Sequence, residues 1–105
     1  MKLSISSIIL AALGAASAWA GANEGKAVYD RACKSCHGAD GAGNPTIAKM
    51  MKVDIPPLSA SAIQSLSDAD LKAVITKGKG KMKPVASVTG SQVDDVVAFV
   101  RTLKK

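Results

Sequence analysis

Aromatic side chains are scarce in this chain of 105 residues: Phe, Trp and Tyr occur once each and together make up 3% of it. Trp19 lies in the leader segment described below, so Tyr29 and Phe99 are the only aromatic residues in the remainder. Aromatic side chains usually supply much of the buried area of a small core. Their scarcity indicates that a planar group from outside the chain completes the core.

Histidine and cysteine are also rare, with one His and two Cys in the whole sequence. A structural zinc site needs four protein ligands, which these three residues cannot supply. No segment repeats at a fixed period, which excludes a repeat architecture. The short chain also excludes a multidomain enzyme.

The first 20 residues differ in character from the rest. Lys2 is followed by residues 3–18, which carry no charge, and Ala18-Trp19-Ala20 is a small-x-small cleavage pattern. The apolar run is shorter than the roughly 20 residues that a membrane-spanning helix needs, which disfavours a retained anchor. We therefore predict a cleaved signal peptide over residues 1–20, export to a bacterial periplasm, and a single domain over residues 21–105.

The charge of the predicted mature chain is moderately basic. Without Lys2 it has 13 basic and 8 acidic side chains, a net charge of +5. No aromatic residues alternate with the lysines and no helix has a continuous basic stripe, so a nucleic acid is a poor candidate partner. We expect a monomer that does not insert into a membrane and that binds proteins with acidic surfaces.

Apolar residues recur at helical spacing after the leader, and no segment alternates convincingly with the period of a strand. We expect the first helix to be capped by Asn23 and to run towards Cys33. Gly25 inside this helix lowers its intrinsic stability. Its expected benefit is the close approach of another helix.

Two later helices have clear start signals. Ser67 and Thr89 each begin a capping-box pattern, and Gly78 is the expected end of the helix that follows Ser67. Residues 46–52 can form a short helix, whereas residues 55–58 should be extended because they contain two prolines. The sequence predicts an all-α fold of three to four short helices.

Cys33-Lys34-Ser35-Cys36-His37 is the strongest functional signal in the chain. A C-x-x-C-H sequence is the attachment signature of a c-type haem. Thiols three residues apart can reach the two vinyl groups on one edge of the porphyrin, and the next residue then lies under the iron. We predict one covalent haem c, with thioethers from Cys33 and Cys36 and with His37 as an axial iron ligand.

Other interpretations of this motif are weaker. A disulfide between Cys33 and Cys36 is compatible with an oxidising compartment, but a thioredoxin-like site would need a βαβ context. A structural zinc site would need a fourth ligand beyond the single His and the two Cys. A chance occurrence is disfavoured because the leader, the scarcity of aromatic residues and the glycine-rich segment after His37 all agree with haem attachment.

The second axial ligand must be a different residue type, because His37 is the only His. A methionine thioether is a known partner of His on cytochrome c haem. Met82 lies in a Lys/Gly segment without apolar periodicity, where a methionine has little reason to fill a core gap. We predict Met82 as the ligand; Met50, Met51, a lysine or an open site are the alternatives.

These features resemble those of small bacterial class I cytochromes c, of the kind grouped with cytochrome c6 and cytochrome c-555. The resemblance covers most of residues 21–105 and rests on Gly25, Tyr29, the Cys33–His37 motif, Gly38-Ala39-Asp40-Gly41, the Gly-Lys-Gly-Lys-Met82 segment and Phe99. It implies that the first and last helices cross, with Gly25 making room for Phe99.

The resemblance also implies a hydrogen bond from the His37 ring N–H to the Pro45 carbonyl, although Pro56 and Pro57 are within reach by sequence. One feature departs from the family pattern. Many relatives have proline directly after the ligand Met, whereas Lys83 intervenes here before Pro84.

The resulting functional hypothesis is a periplasmic one-electron carrier with a His/Met-ligated haem iron. Lys77, Lys79, Lys81, Lys83 and Lys34 could surround the haem edge and attract acidic redox partners; the alternative is a loop that is merely kept polar. The competing hypothesis is a haem-based gas sensor or a small peroxidase-like enzyme with an open sixth site. A haem module held within a larger electron-transfer complex is a third possibility.

Overall fold

A computed structural model describes residues 21–105, so the predicted signal peptide lies outside the described residues. The elements are α1 (residues 21–32), α2 (Lys34–His37), α3 (Pro45–Met51), α4 (Ser61–Gln64), α5 (Asp68–Lys77) and α6 (Ser91–Thr102). Within residues 21–105 there is no strand, only an isolated bridge between Lys79 and Met82. The all-α prediction is confirmed, and the helices outnumber the predicted three to four because α2 and α4 are single turns.

The start of α1 differs from the prediction. The chain is already helical at residue 21, so Asn23 lies within the helix and is not its N-cap. A capping side chain must precede the first helical turn to accept a hydrogen bond from that turn. The Asn23 prediction is therefore wrong, because the helical conformation extends into the residues before it.

The predicted boundaries of the two later helices are largely correct. The Ser67 hydroxyl accepts a hydrogen bond from the Asp70 N–H at 3.0 Å, and α5 ends at Gly78. At α6 the N-cap is Gly90, and only half of the expected capping box forms. The Gln92 side chain accepts from the Thr89 N–H at 3.3 Å. The helix begins one residue later than a Thr89 cap would require.

Helices α1 and α6 are in close contact at Gly25, as predicted. A Cβ atom at this glycine would overlap the Asp95 carbonyl oxygen and lie 3.1 Å from the Phe99 Cβ. The rings of Tyr29 and Phe99 meet one turn further along, with centroids 5.0 Å apart and planes tilted by 50°. The only two aromatic residues after the leader therefore pack against each other at this crossing.

A core rich in valine holds α1, α5 and α6 together. Its buried members are Val28, Leu71, Ile75, Val88, Val93, Val96, Val97 and Val100. The four valines of α6 have the i, i+3, i+4, i+7 spacing that gives one apolar face. Packing of this face compensates for the modest helix propensity of valine.

Arg101 fastens the end of α6 to the junction of α4 and α5. Its guanidinium donates to the Gln64 carbonyl at 2.9 Å, to the Leu66 carbonyl at 2.6 Å and to the Asp68 carboxylate at 2.8 Å. The planar, multidentate geometry of arginine suits this arrangement. In residues 21–105, no helix combines the length and apolar character needed to cross a membrane.

Candidate haem site

The C-x-x-C-H motif forms a tight turn between α1 and the following loop. The Cys33 N–H donates to the Tyr29 carbonyl at 2.8 Å, and the His37 N–H donates to the Cys33 carbonyl at 3.1 Å. Helix α2 then ends at Gly38, whose φ of 84° is one that a residue with a side chain rarely adopts. The sequence motif is thus a single helical turn that continues from α1 and stops abruptly after His37.

The two thiols of this turn are available for bonding. Cys33 and Cys36 are both free and half-buried. Burial raises the pKa of the Cys33 thiol, while the nearby Arg31 charge acts in the opposite direction. Both cysteines fit a role in covalent attachment because neither is part of a disulfide, although Cys33 packs against the core cluster.

The imidazole of His37 is suited to bind a metal. Burial lowers the pKa of His37, which favours the neutral ring that metal coordination requires. Its Nδ1 atom is buried and has no hydrogen bond partner in the described structure. A buried polar atom without a partner is costly, so this ring has a bonding capacity that residues 21–105 do not satisfy.

A glycine-rich loop wraps around His37 after α2. The Gly43 N–H donates to the His37 carbonyl at 2.7 Å, and Gly43 has a φ of 92°. A Cβ atom at this glycine would lie 2.5 Å from the Ile55 carbonyl oxygen. The Tyr29 hydroxyl donates to the Gly38 carbonyl at 2.6 Å from the other side. The backbone around His37 is therefore fixed from both α1 and the 55–58 segment.

Asn44 connects this loop to α3. Its N–H donates to the Cys36 carbonyl at 2.9 Å, and its side-chain amide donates to the Ser35 carbonyl at 3.0 Å. Its side-chain oxygen caps α3 by accepting from the Thr46 and Ile47 N–H groups. This role of Asn44 was not predicted from the sequence, although Asn followed by Pro is a known helix-start pattern.

Pro45 occupies the first turn of α3. The structure does not form the implied hydrogen bond to its carbonyl, because His37 Nδ1 has no partner. Proline is well suited to this position, since it lacks the N–H that would be unsatisfied there. The local role of Pro45 in this structure is to start α3.

Met82 lies on a tight turn after α5. The backbone N–H of Met82 donates to the Lys79 carbonyl, and the Lys79 N–H donates to the Met82 carbonyl, both at 2.9 Å. Gly78 has a φ of 78°, and a Cβ atom there would lie 2.5 Å from the Met82 carbonyl oxygen. Met82 is half-buried, whereas the side chains of Met50 and Met51 on α3 are 73% and 37% exposed. Met82 is thus the most enclosed of the three candidate ligands.

Helix α3 links the two halves of the candidate site. Its first residues are bonded to α2 through Asn44, and the Met51 carbonyl at its other end accepts a hydrogen bond from Lys81 Nζ at 2.7 Å. Open depressions of about 560 and 230 Å³ border this helix. Pro45 lines both depressions, but neither is lined by His37 or Met82.

The donor set fits a covalently held haem. Two free thiols and a buried imidazole with an unsatisfied nitrogen lie on a single turn. Among residues 21–105, no group of three or more His, Cys, Asp or Glu side chains could hold a metal ion by itself. The site therefore matches attachment of a preformed iron porphyrin better than binding of a bare metal ion.

Two comparisons with known proteins agree with this geometry. The family described as cytochrome c oxidase, cbb3-type, subunit III matches residues 20–100, which include the α2 turn and Met82. The solved structure of the KustC0563 c-type cytochrome has a TM-score of 0.65 and 26% sequence identity, covering 77% of this chain and 98% of that one. No curated protein matches the sequence significantly.

Proposed function

Because the chain belongs to the c-type cytochrome family described as cytochrome c oxidase, cbb3-type, subunit III, we propose that it is a monohaem electron carrier of a bacterial periplasm. Proteins of this family carry electrons through a covalently bound haem c. The finer assignment is one haem, bonded to Cys33 and Cys36, with His37 and Met82 as the axial ligands. The leader supports export, because Lys2 is followed by the uncharged residues 3–18 and by a small-x-small site.

The observation that carries the proposal is the α2 turn. It presents two free thiols and a half-buried imidazole, whose pKa burial lowers, within five consecutive residues, and hydrogen bonds from α1 and from the loop fix its backbone. A haem held there would supply one-electron ferrous/ferric chemistry. The proposed role of His37 is to bind the iron, and hydrogen bonds that the Gly43 N–H and the Tyr29 hydroxyl donate to the His37 and Gly38 carbonyls restrain the backbone there.

Met82 completes the proposed ligand set. The paired backbone hydrogen bonds between Lys79 and Met82 restrict the backbone conformation of the residue that carries the thioether. A neutral thioether opposite an imidazole favours the ferrous state and raises the reduction potential. With both axial positions filled by protein, no site is left for a substrate, which distinguishes this proposal from a gas sensor or a peroxidase-like enzyme.

The proposed partners are redox proteins with acidic surfaces. The lysines at positions 34, 77, 79 and 83 are exposed, and none of them forms an ion pair within residues 21–105. The ion pairs that do form involve Lys26, Lys72 and Arg101 on α1, α5 and α6. Positive charge next to the Met82 turn is therefore uncompensated and can accelerate association with an acidic protein.

A second candidate is a haem module within a larger complex. The matching family is described by the name of an oxidase subunit, which supports assembly with other chains. Size measurement in native extract separates the two cases. A free carrier elutes at the mass of one chain, whereas a module coelutes with partner subunits.

The decisive experiment is an absorption spectrum of the purified protein in both oxidation states, with and without CO, for native protein and Met82→Ala. We expect the oxidised native protein to show the weak far-red iron–thioether band and the Met82→Ala variant to lose it. The native ferrous protein should not bind CO, whereas the ferrous Met82→Ala variant should bind it. Intact mass of the same sample should show the loss of residues 1–20 and the gain of one haem.

Met50→Ala and Met51→Ala are the matched controls, because they remove a methionine from α3 and leave the Met82 turn intact. Both should keep the far-red band. If native ferrous protein binds CO readily and Met82→Ala changes nothing, the sixth site is open or filled by another residue, and the sensor or enzyme hypothesis takes precedence. A mature protein that still contains Trp19 would contradict the cleavage site.

A further inference from the structure

Lys81 differs from the other lysines of its loop because its ammonium group is bonded within the protein. Lys81 Nζ donates to the Met51 carbonyl at 2.7 Å, across 30 positions of sequence. Within residues 21–105, neither Lys79 nor Lys83 forms a side-chain hydrogen bond or an ion pair. Three lysines at alternating positions are therefore not equivalent, and only the central one joins two segments.

The acceptor of this hydrogen bond is the last residue of α3. The final carbonyls of a helix have no intrahelical partner, and they carry the negative end of the helix dipole. An ammonium group is a favourable partner for such a carbonyl. Helix α3 is followed by Lys52, whose positive φ of 56° marks a sharp end to the helix. The Lys81 contact thus closes an otherwise open helix terminus.

The other end of α3 is bonded to the haem-attachment turn. Asn44 caps the helix and at the same time donates to Ser35 and Cys36 carbonyls of α2. Seven helical residues extend over about 10 Å. Helix α3 is therefore hydrogen-bonded to the α2 turn at its first end and to Lys81, the residue before Met82, at its last end.

We propose that Lys81 is a positioning residue that fastens the Met82 turn to α3 and so keeps Met82 on the haem iron. The inference rests on the proposed function, since it takes Met82 as the axial ligand. Lys81 does not touch the iron in this proposal. It limits the movement of the turn through one hydrogen bond, while Lys79 and Lys83 remain available to attract partners.

The test compares Lys81→Ala with Lys79→Ala and Lys83→Ala in the haem-containing protein. These three variants remove the same charge from the same loop, and only Lys81→Ala removes the contact with Met51. CO affinity of the ferrous protein reports how readily Met82 leaves. We expect Lys81→Ala to raise the CO affinity about fivefold, which corresponds to the loss of one hydrogen bond of modest strength. The variant should also show a weaker far-red iron–thioether band. The two controls should stay within about twofold of native protein.

Hydrogen exchange supplies a readout that does not depend on the iron. The amides of residues 79–83 should exchange faster in Lys81→Ala than in either control, because the turn has lost its attachment. Lys81→Arg should restore both CO affinity and protection towards native values, since arginine can also donate to the Met51 carbonyl.

The experiment distinguishes failure of the positioning role of Lys81 from failure of the assignment of Met82 as a ligand. If Met82→Ala raises CO affinity but Lys81→Ala leaves both CO affinity and exchange at native values, the positioning role is overturned and the ligand assignment stands. The same holds if all three lysine variants behave alike, since charge and not the contact would then matter. If Met82→Ala has no effect on CO binding, the ligand assignment itself fails, and the role of Lys81 towards Met82 fails with it.

Discussion

Tyr29 acts at the scale of a single residue by linking the C-x-x-C-H turn to the crossing of α1 and α6. Its ring is fully buried and packs on Phe99, and its hydroxyl donates to the Gly38 carbonyl at 2.6 Å, directly after His37. A buried hydroxyl needs such a partner, because an unpaired one would cost free energy. One side chain therefore provides both core packing and the position of the backbone beside His37.

The ionisation of Tyr29 predicts a loss of stability in alkali. Burial is the largest of the causes that raise the pKa of Tyr29 to about 12 from its ordinary 10.0. The Cys33 thiolate, whose charge a thioether bond to haem would remove, and the carboxylates of Asp40 and Asp30 act in the same direction. Because the folded-state pKa is the higher one, the stabilisation is complete below about pH 10 and is lost as the pH rises towards 12. Urea unfolding followed by circular dichroism should show this loss in the native haem protein.

Tyr29→Phe is the matched control for this pH dependence. It should be less stable than native protein by about 1 kcal/mol at neutral pH, because the hydrogen bond to Gly38 is gone. The difference between the two proteins should then shrink above pH 10, since only the native protein has a phenol to ionise. A difference that stays constant up to pH 12 would argue against burial of the Tyr29 hydroxyl.

At the scale of the elements, the crossing of α1 and α6 depends on the absence of a side chain at Gly25. The Asp95 carbonyl of α6 occupies the space that a Cβ atom of α1 would need. A backbone carbonyl cannot rotate away as a flexible side chain can. The two helices must therefore separate to admit any other residue at this position.

We expect Gly25→Ala to destabilise the protein by about 2 kcal/mol, because overpacking exceeds the gain in helix propensity. For a domain of this size the melting temperature should fall by about 10 °C.

Gly21→Ala is the control on the same helix, because its Cβ would lie 3.4 Å from a flexible Asp95 side-chain oxygen. Its stability should change by no more than about 1 kcal/mol. Equal melting temperatures for the two variants would contradict the close approach at Gly25.

At the scale of the whole molecule, charge is unevenly distributed. The described ion pairs lie on α1, α5 and α6, where Asp30, Asp94 and Asp68 compensate Lys26, Lys72 and Arg101. Among residues 21–105, no acidic side chain forms an ion pair with the exposed lysines of the 77–83 segment. An anionic reactant should therefore be attracted to the side of the molecule that carries Met82.

Oxidation of the reduced protein by hexacyanoferrate(III), an anionic probe, should slow about tenfold between roughly 0.01 M and 1 M salt, because the Debye length shrinks from about 30 Å to about 3 Å. The double variant Lys79→Gln/Lys83→Gln should weaken this salt dependence. Lys104→Gln/Lys105→Gln lowers the net charge equally but at the end of the chain. If both doubles weaken the dependence to the same extent, net charge alone governs the rate and the local patch has no role.

The helical class, the C-x-x-C-H motif and several helix boundaries could be read from local sequence patterns. These are properties of neighbouring residues: the C-x-x-C-H spacing, the apolar period of α6, the Ser67 cap and the Gly78 stop all act within a few positions. The predicted start of α1 was wrong. Asn23 was expected to cap α1, but the helix extends into the residues before it.

The contacts between distant segments could be found only in the folded chain. It places Lys81 on Met51, Arg101 on the α4–α5 junction and Asn44 on α2, contacts that no local pattern predicts. Such hydrogen bonds depend on the orientation of whole helices, which is fixed by packing of the valine core and by the space that Gly25 leaves. Local spacing could therefore single out the residues proposed to bind haem, while the hydrogen bonds that join α3 to the α2 turn and to Lys81 could be found only in the folded chain.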